Sequence, residues 1–299
     1  MRKLIFALAL IVAAANATVY GWNATGHKAI SLLVYQQLTP AVRPRIDALL
    51  AKHPDYSKWV EGVSQQDRGR AAFLAASVWP DTIRNDPRFY AANRPPTPRI
   101  PGLPEGAQAN HAEWHYIDIP FSPDGTPTVQ PPESNALAEL RSVQTVERMP
   151  EQMQVYLLPW IIHITEDVHQ PLHAIGRFTS NTPNGDQGGN AVRLKDGFNL
   201  HSYWDGRLGN DNTDQFLTEL AAAIEKQNSR PAMLDMDPAS WVNESFEARR
   251  QVYGFSGAGT PEDPAVLSDD YSVAGRKVAF ERAALAAYRL AEFLNTHFK

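Results

Sequence analysis

The sequence contains no cysteine, and it carries more negative than positive charge. Without cysteine no disulfide can hold the fold together, so packing or bound metal ions must do so. The formal net charge of −5 argues against general nucleic-acid binding, which normally uses a basic surface. Beyond the N-terminus the chain has no run of about 18 apolar residues, so we predict no membrane-spanning helix.

The N-terminal segment differs from the rest of the chain in its hydrophobic character. Arg2 and Lys3 precede the apolar run LIFALALIVAAA, and small residues follow in ANATVYG. This order is typical of a secretory signal peptide; a membrane anchor is the alternative, but the run is short for one. Cleavage is plausible after Ala17 or after Gly21. We therefore expect a signal peptide at residues 1–21, and a secreted or periplasmic mature protein without a membrane anchor.

The remaining chain has the pattern of one mainly α-helical domain. Apolar residues recur at helical spacing in four segments: 26–51, 71–79, 134–170 and 270–298. Pro150 and Pro159 should interrupt the third segment. Residues 86–132 contain 11 of the 23 prolines and should form loops, with a short β-hairpin near HYIDI at 115–119. With no repeat and no linker, we predict a single domain over 22–299.

The C-terminal segment has the clearest amphipathic pattern. Six apolar residues fall on one helix face at spacings of three and four: Phe280, Ala284, Ala287, Ala291, Leu294 and Phe298. We expect this face to lie in the core, and a surface for a partner protein is the alternative.

Histidine and aspartate occur at metal-ligand spacing in two places. His163 and Asp167 are four residues apart at the end of an apolar stretch, and His201 and Asp205 repeat the spacing after a Gly-rich loop. On a helix such residues share one face, so each pair could bind zinc. A single pair of this kind is more often a surface ion pair, but the recurrence favours metal binding.

Further candidate ligands have apolar or aromatic neighbours: His27, Asp81, His115 and His173. Pro171 should end or kink the helix before it, so that His173 can point toward a second site. A lone buried histidine is usually a hydrogen-bonded core residue, but here the number of candidates argues for coordination. Without cysteine, nitrogen and oxygen ligands remain, and these suit zinc.

Taken together, these residues resemble the zinc-dependent, single-strand-specific nucleases of the mung bean nuclease type. That family shares an α-helical fold with bacterial zinc phospholipase C. The resemblance extends from Trp22 to about Asn295. It rests on Trp22 and His27, Asp81 and Arg84, His115 and Asp118, His163, Asp167 and His173, Gly188, Gly189 and Asn190, and His201 and Asp205.

The resemblance implies three zinc ions in one cleft. Its first ion would be held by Asp81, His115, His163 and Asp167. Its second ion would be held by His173, His201 and Asp205. Its third ion would be held by His27, Asp167 and the α-amino nitrogen and carbonyl oxygen of Trp22. Only cleavage after Gly21 frees that amine, so the resemblance favours the later cleavage point.

The resemblance also implies residues that handle the substrate. Arg84 would contact the scissile phosphate, where a guanidinium can donate two hydrogen bonds; an ion pair with a neighbouring Asp is the alternative. Tyr116 would stack on a flipped base, where the family more often has Phe, and Asp118 would hydrogen-bond the edge of that base. Gly188 and Asn190 would complete the base pocket.

The reaction implied is hydrolysis of single-stranded DNA and RNA, with a 3′-nucleotidase activity as a further option. A hydroxide bridging two zinc ions would attack phosphorus and give 5′-phosphorylated products. A paired base leaves the stack at a cost of a few kcal/mol, so single strands are favoured. The zinc charge would offset the acidic chain locally, and we expect a monomer with a modest salt dependence.

Three alternatives stay open on the sequence alone. A secreted zinc phospholipase C would use the same ligands, although we see no strong amphipathic stretch for a lipid surface. A non-catalytic exported zinc-binding protein would bind metal without turnover. A helical protein with hydrogen-bonded core histidines would bind none. The residues not expected to be ligands are Glu166, His53, His111, His169 and His297.

Overall fold

The computed structural model describes residues 21–90, 99–105, 107–227 and 233–299, over which the protein is mainly α-helical. Its α-helices are α1 (Ala24–Gln37), α2 (Arg43–Leu50), α3 (Tyr56–Trp59), α4 (Arg68–Thr82), α5 (Ala136–Ser142), α6 (Glu151–Asp167), α7 (Leu200–Asp205), α8 (Asp214–Gln227), α9 (Pro238–Glu247), α10 (Arg249–Val252) and α11 (Asp269–His297). The mainly α-helical fold is therefore confirmed. The predicted signal peptide, apart from Gly21, lies outside the described residues, as does the alternative cleavage point.

Helix α6 is the centre of the fold. From Gln154 to Asp167 every residue is buried, and the helix packs against α1, α4 and α11. An apolar surface on all sides explains this position, because each face gains from leaving water. The polar residues of its last turn are buried with the rest of the helix, so they need partners inside the protein.

Two helices that carry candidate ligands begin at asparagine caps. The Asn23 side chain accepts a hydrogen bond of 2.9 Å from the backbone N–H of Gly26 at the start of α1. The Asn199 side chain accepts one of 2.7 Å from the backbone N–H of Ser202 at the start of α7. Such caps satisfy otherwise unpaired N–H groups and fix where a helix begins. They place His27 and His201 in the first turns of their helices.

The prolines of α6 differ in effect. Pro150 precedes the helix, as the prediction of an interruption required, but Pro159 lies inside it and does not end it, so that part of the prediction was wrong. Proline removes one hydrogen bond from a helix interior. Packing of α6 on several neighbours keeps the helix continuous in spite of that loss. Helix α6 ends at Asp167, before Pro171 begins a 3-10 turn at Pro171–His173.

The predicted hairpin near 115–119 was wrong. Strand β1 (Ile119–Phe121) pairs in parallel with β2 (Ile175–Arg177), with Ile119 opposite Ile175. Parallel strands need a long crossover, and here it contains α5 and α6. This pairing brings the segment after His115 beside the segment around His173, where the Ile117 N–H donates to the His173 carbonyl at 2.8 Å.

The C-terminal helix lies in the core, as predicted. All six residues of its apolar face are at most 1% exposed. Among the described residues, no helix is long and apolar enough to cross a membrane.

Candidate metal centre

Six elements meet at one buried point at the C-terminal end of α6. Helix α6 contributes two candidate ligands from its last turns, and the others come from α1, α4, α7 and two 3-10 turns, Ala112–His115 and Pro171–His173. Every histidine and aspartate that the sequence analysis proposed as a ligand is buried: His27, Asp81, His115, His163, Asp167, His173, His201 and Asp205. The structure thus brings together side chains that are up to 178 positions apart in the sequence.

Three histidines are oriented by the same kind of contact. The Nδ1 atom of His163 lies 2.6 Å from the Ser77 carbonyl oxygen. The Nδ1 atom of His173 lies 2.5 Å from the His115 carbonyl oxygen, and that of His201 lies 2.6 Å from the Gly188 carbonyl oxygen. A carbonyl only accepts, so each Nδ1 carries the proton and each Nε2 offers a lone pair. Metal-binding histidines are commonly held by such contacts.

Asp167 lies at the centre of the histidines. Its Oδ2 atom is 3.0 Å from His163 Nε2, 3.1 Å from His115 Nδ1 and 3.7 Å from His173 Nδ1. Its Oδ1 atom is 3.3 Å from His27 Nε2. One carboxylate therefore faces four imidazole rings from both of its oxygens.

Asp81 approaches the same group from α4. Its Oδ1 atom lies 3.7 Å from His115 Nδ1 and 3.7 Å from His163 Nε2, and those two histidine nitrogens are 2.8 Å apart. With its proton on Nδ1, His163 turns a lone pair of Nε2 toward His115. Two ring nitrogens this close together need a shared proton or a cation between them.

Ligand atoms gather in three overlapping groups, each with its atoms within 4.8 Å of one another. The groups are His27, Asp81 and His163; His115, His163 and Asp167; and His173, His201 and Asp205. The third group has the members predicted for the second zinc site. In the first group His27 accompanies Asp81 and His163, although it also lies close to Asp167, with which it was predicted to bind.

Several donor atoms in the cluster have no hydrogen-bond partner within the described ranges. These buried atoms are His27 Nε2, Asp81 Oδ1 and Asp167 Oδ1. His27 Nε2 and Asp167 Oδ1 lie 3.3 Å from each other and Asp81 Oδ1 lies 3.4 Å from Arg84 Nη2, so these atoms have ion-pair contacts but no hydrogen bond. Nitrogen and carboxylate oxygen donors without sulfur suit zinc, so the residues present fit the metal that they were predicted to bind.

The electrostatics of the side chains in the cluster also favour a cation. Burial alone would lower the pKa of His27, but the carboxylates of Asp167 and Glu166 raise it to about 10. Burial would raise the pKa of Asp167, yet His163, His173 and the other histidines hold it well below its usual range. A proton on His27 thus does part of what a bound cation would do.

Glu166 is a positioning residue that the sequence analysis did not assign. It was expected not to be a ligand, and its carboxylate lies 2.5 Å from His27 Nδ1 and 2.6 Å from the Ser31 hydroxyl that donates to it. Its backbone oxygen accepts from the indole N–H of Trp22 at 3.1 Å. Glu166 therefore orients His27 so that Nε2 points into the cluster. Its position directly before Asp167 was the one available signal.

Gln170 has a similar role at Asp205. Its side-chain N–H donates to Asp205 Oδ1 at 2.6 Å, and that same oxygen lies 3.7 Å from His201 Nε2. Burial raises the pKa of Asp205 well above its usual range, despite the hydrogen bond from Gln170. A cation at this group would favour the ionised carboxylate.

The chain immediately before Trp22 touches the cluster. A Cβ atom added to Gly21 would lie 1.6 Å from Asp167 Oδ1 and 3.1 Å from His27 Nε2. The Trp22 side chain itself is fully buried. Gly21 is thus in direct contact with two candidate ligands, and a side chain at this position would clash with one of them.

Arg84 lies at the edge of the cluster with its side chain only 8% exposed. Its Nη2 atom is 3.4 Å from Asp81 Oδ1, and its Nε atom is 3.4 Å from His115 Nε2. The ion pair with a neighbouring Asp, which was the alternative in the sequence analysis, is therefore present. The same contacts hold the guanidinium beside the ligand atoms.

A cavity of about 240 Å³ opens beside the cluster at the predicted base pocket. It is lined by Tyr116, Asp118, Leu172, Gln187, Gly188 and His201. Gly188 has a φ of +58°, and a Cβ there would lie 2.5 Å from the Leu172 carbonyl oxygen, so the wall requires glycine. Burial and the nearby Asp186 raise the pKa of Asp118 well above its usual range.

Asn190 supports the pocket from behind. Its side-chain N–H donates to the Gln187 carbonyl oxygen at 2.8 Å, and Asn190 is not among the lining residues. Its predicted contact with a base stays a prediction.

Buried nitrogen and carboxylate ligands, an arginine beside them and an adjoining cavity define a metal-dependent hydrolase of phosphate esters. The family model described as S1/P1 nuclease matches residues 22–299, and the chain belongs to this family. The resemblance predicted from the sequence is thereby confirmed. No curated protein sequence matches the chain. Because the family consists of zinc-dependent phosphodiesterases, the protein is a zinc-dependent nuclease that hydrolyses nucleic acids.

Proposed function

We propose that the protein is a three-zinc nuclease specific for single-stranded DNA and RNA, with 3′-nucleotides as further substrates, and that it leaves 5′-phosphates. The observation that carries this proposal is the crowding of buried nitrogen and carboxylate oxygen atoms around Asp167, three of them without a hydrogen bond. Asp167 would be shared between two zinc sites. One of them would also use Asp81, His115 and His163, and the other would use His27 and Trp22. The remaining zinc site would use His173, His201 and Asp205. Zinc bound there supplies an activated water molecule and polarises the phosphate.

The chain's own residues then bind and orient the substrate. Arg84 would donate hydrogen bonds to the equatorial phosphate oxygens as negative charge develops on them. Tyr116 would stack on one unpaired base, and Asp118 would hydrogen-bond its edge. The 240 Å³ cavity supports single-strand specificity, because a base must leave its stack to enter it.

Processing after Gly21 belongs to this proposal. Residues 1–21 would be removed as a signal peptide during export, leaving a monomeric secreted or periplasmic protein. The contact of Gly21 with Asp167 and His27 supports it, since the new amine of Trp22 would arise next to these two ligands. N-terminal sequencing of the exported protein tests this step, and a mature chain beginning at Thr18 would contradict it.

The test of the reaction combines metal content with substrate choice. The purified mature protein should contain three zinc ions per chain by atomic emission, and fewer than two would overturn the mechanism. It should hydrolyse single-stranded DNA and RNA faster than duplex DNA and should not hydrolyse phosphatidylcholine. Replacing Arg84 by Ala should lower kcat about a hundredfold or more with zinc retained. Unchanged turnover in that variant would remove Arg84 from the mechanism.

A further inference from the structure

A second and larger cavity, of about 690 Å³, opens on the cluster from another side. Its wall includes the candidate ligands Asp81 and Asp205, together with Asn23 and Ala24 at the start of α1. Its volume lies in the range of about 300–1,000 Å³ that is typical of small-molecule sites. The base pocket described above does not use this space.

The two cavities are lined by different residues of α7. His201 lines the smaller one, whereas Ser202 and Asp205, from the same helix, line the larger one. The candidate ligands His201 and Asp205 thus line one cavity each, with 3.7 Å between His201 Nε2 and Asp205 Oδ1. A phosphodiester bound at the cluster would therefore have room for one nucleoside in each cavity.

We propose that the larger cavity binds the second nucleoside of the substrate strand, across the scissile phosphate from the Tyr116 cavity. This inference rests on the proposed function. The wall of the larger cavity suits the uncharged part of a nucleotide, because Ala24 and Val78 offer apolar contact and no described Lys or Arg lines this cavity. The exposed amides of Asn85 and Asn210 make no side-chain hydrogen bond to the described residues, so both can pair with a base or sugar.

The cavity also continues away from the cluster. Thr82 and Asn85 line both this space and a neighbouring cavity of about 600 Å³ that includes Lys58 and Trp59. A path from the Tyr116 cavity past the ligands toward Trp59 fits an extended strand better than a single nucleotide. It therefore favours polynucleotide substrates.

The test blocks the cavity and compares substrates of different length. Ala24 is exposed at the first position of α1, so Ala24→Trp fills the cavity without entering the core. We expect the ratio of kcat/KM for a dinucleoside monophosphate to kcat/KM for a nucleoside 3′-phosphate to fall at least tenfold. The control Ala222→Trp, at an exposed alanine in α8, should leave that ratio unchanged.

Equilibrium binding gives a readout that does not depend on turnover. Ala24→Trp should weaken binding of a phosphorothioate dinucleotide at least tenfold more than binding of a nucleoside 3′-phosphorothioate. The milder double variant Asn85→Ala/Asn210→Ala should raise KM for the dinucleotide about threefold to tenfold. Equal effects of Ala24→Trp on both ligands, or no effect on either, would overturn the second subsite. If the wild-type protein hydrolyses no nucleic acid, the proposed function itself fails.

Discussion

Two regions of this protein with buried histidines, the core behind α6 and the metal cluster, differ in what the second ring nitrogen meets. In the core behind α6, His169 Nδ1 lies 2.6 Å from the Thr165 carbonyl oxygen, and its Nε2 accepts from Arg289 at 3.0 Å. In the cluster, His163 has a similar carbonyl partner for Nδ1, but its Nε2 faces Asp167 and His115. Burial and a carbonyl contact therefore do not distinguish a ligand from a structural histidine; the second nitrogen does.

The surroundings of the two regions are opposite in charge. Burial lowers the pKa of His169 well below its usual range, and the cations Arg282 and Arg289 lower it further. Both arginines pair with Glu244, which lies 2.5 Å from Arg282 and 2.7 Å from Arg289. The core region thus already holds two guanidinium cations against one carboxylate, whereas the cluster contains carboxylates and lone pairs that a cation would complete.

The largest effect should come from Asp167→Asn, which keeps the shape of the side chain and removes its charge. An amide is a weak zinc ligand, and more than one ion would lose a partner. We expect kcat/KM on single-stranded DNA to fall at least about a thousandfold and zinc content to drop. Atomic emission and a nuclease assay measure both. Full zinc content together with more than a tenth of the activity would show that Asp167 is not a shared ligand.

The next largest effect should come from replacing one histidine in each region by glutamine. His163→Gln should lose zinc and at least about a hundredfold in activity, because a cluster ligand disappears. His169→Gln should keep its zinc and activity within a few-fold, while the free energy of unfolding falls by about 1–3 kcal/mol from the disturbed contact with Arg289. Urea unfolding and zinc analysis of both variants make the comparison. The opposite pattern would invert the assignment of the two histidines.

His53 is a buried neutral histidine whose effect can be measured through the pH dependence of the free energy of unfolding. It is 4% exposed, its ring stacks on Trp59 at 4.4 Å, and burial lowers its pKa to about 4. Above pH 6.5 it is neutral in both states. Between pH 6.5 and 4 the unfolded chain binds a proton that the folded chain does not, so the free energy of unfolding falls by up to about 3 kcal/mol as pH falls.

The variant His53→Phe isolates this contribution, since it keeps an aromatic ring against Trp59 and cannot titrate. Urea unfolding of both proteins at pH 7 and pH 4.5 should show a smaller acid loss in the variant. Other titrating groups, including the cluster, are common to both proteins and cancel in the difference. An equal acid loss in the two proteins would mean that His53 is protonated in the folded state.

Much of the fold and the ligand set could be predicted from the sequence, because they depend on local patterns. The apolar periodicity of α11 lies within a single helix, and each of the H-x-x-x-D pairs at His163 and His201 likewise lies within its own helix. What could not be predicted depends on contacts between distant segments. The parallel pairing of Ile119 with Ile175 follows from tertiary packing, as does the tolerance of Pro159 inside α6. The role of Glu166 needs the partner His27, which is 139 positions away.

The smallest expected effect should come from changing Glu166, which orients the candidate ligand His27 without being a ligand itself. Glu166→Gln keeps the size of the side chain and weakens its contact with His27 Nδ1, which is now 2.5 Å. We expect zinc affinity to fall about 10–100-fold, with excess zinc restoring most of the activity. Competition with a chelator measures the affinity. The control Glu151→Gln removes an exposed carboxylate from the first turn of the same helix and should change nothing. Loss of activity that excess zinc cannot restore would show that Glu166 takes part in catalysis and does more than orient His27.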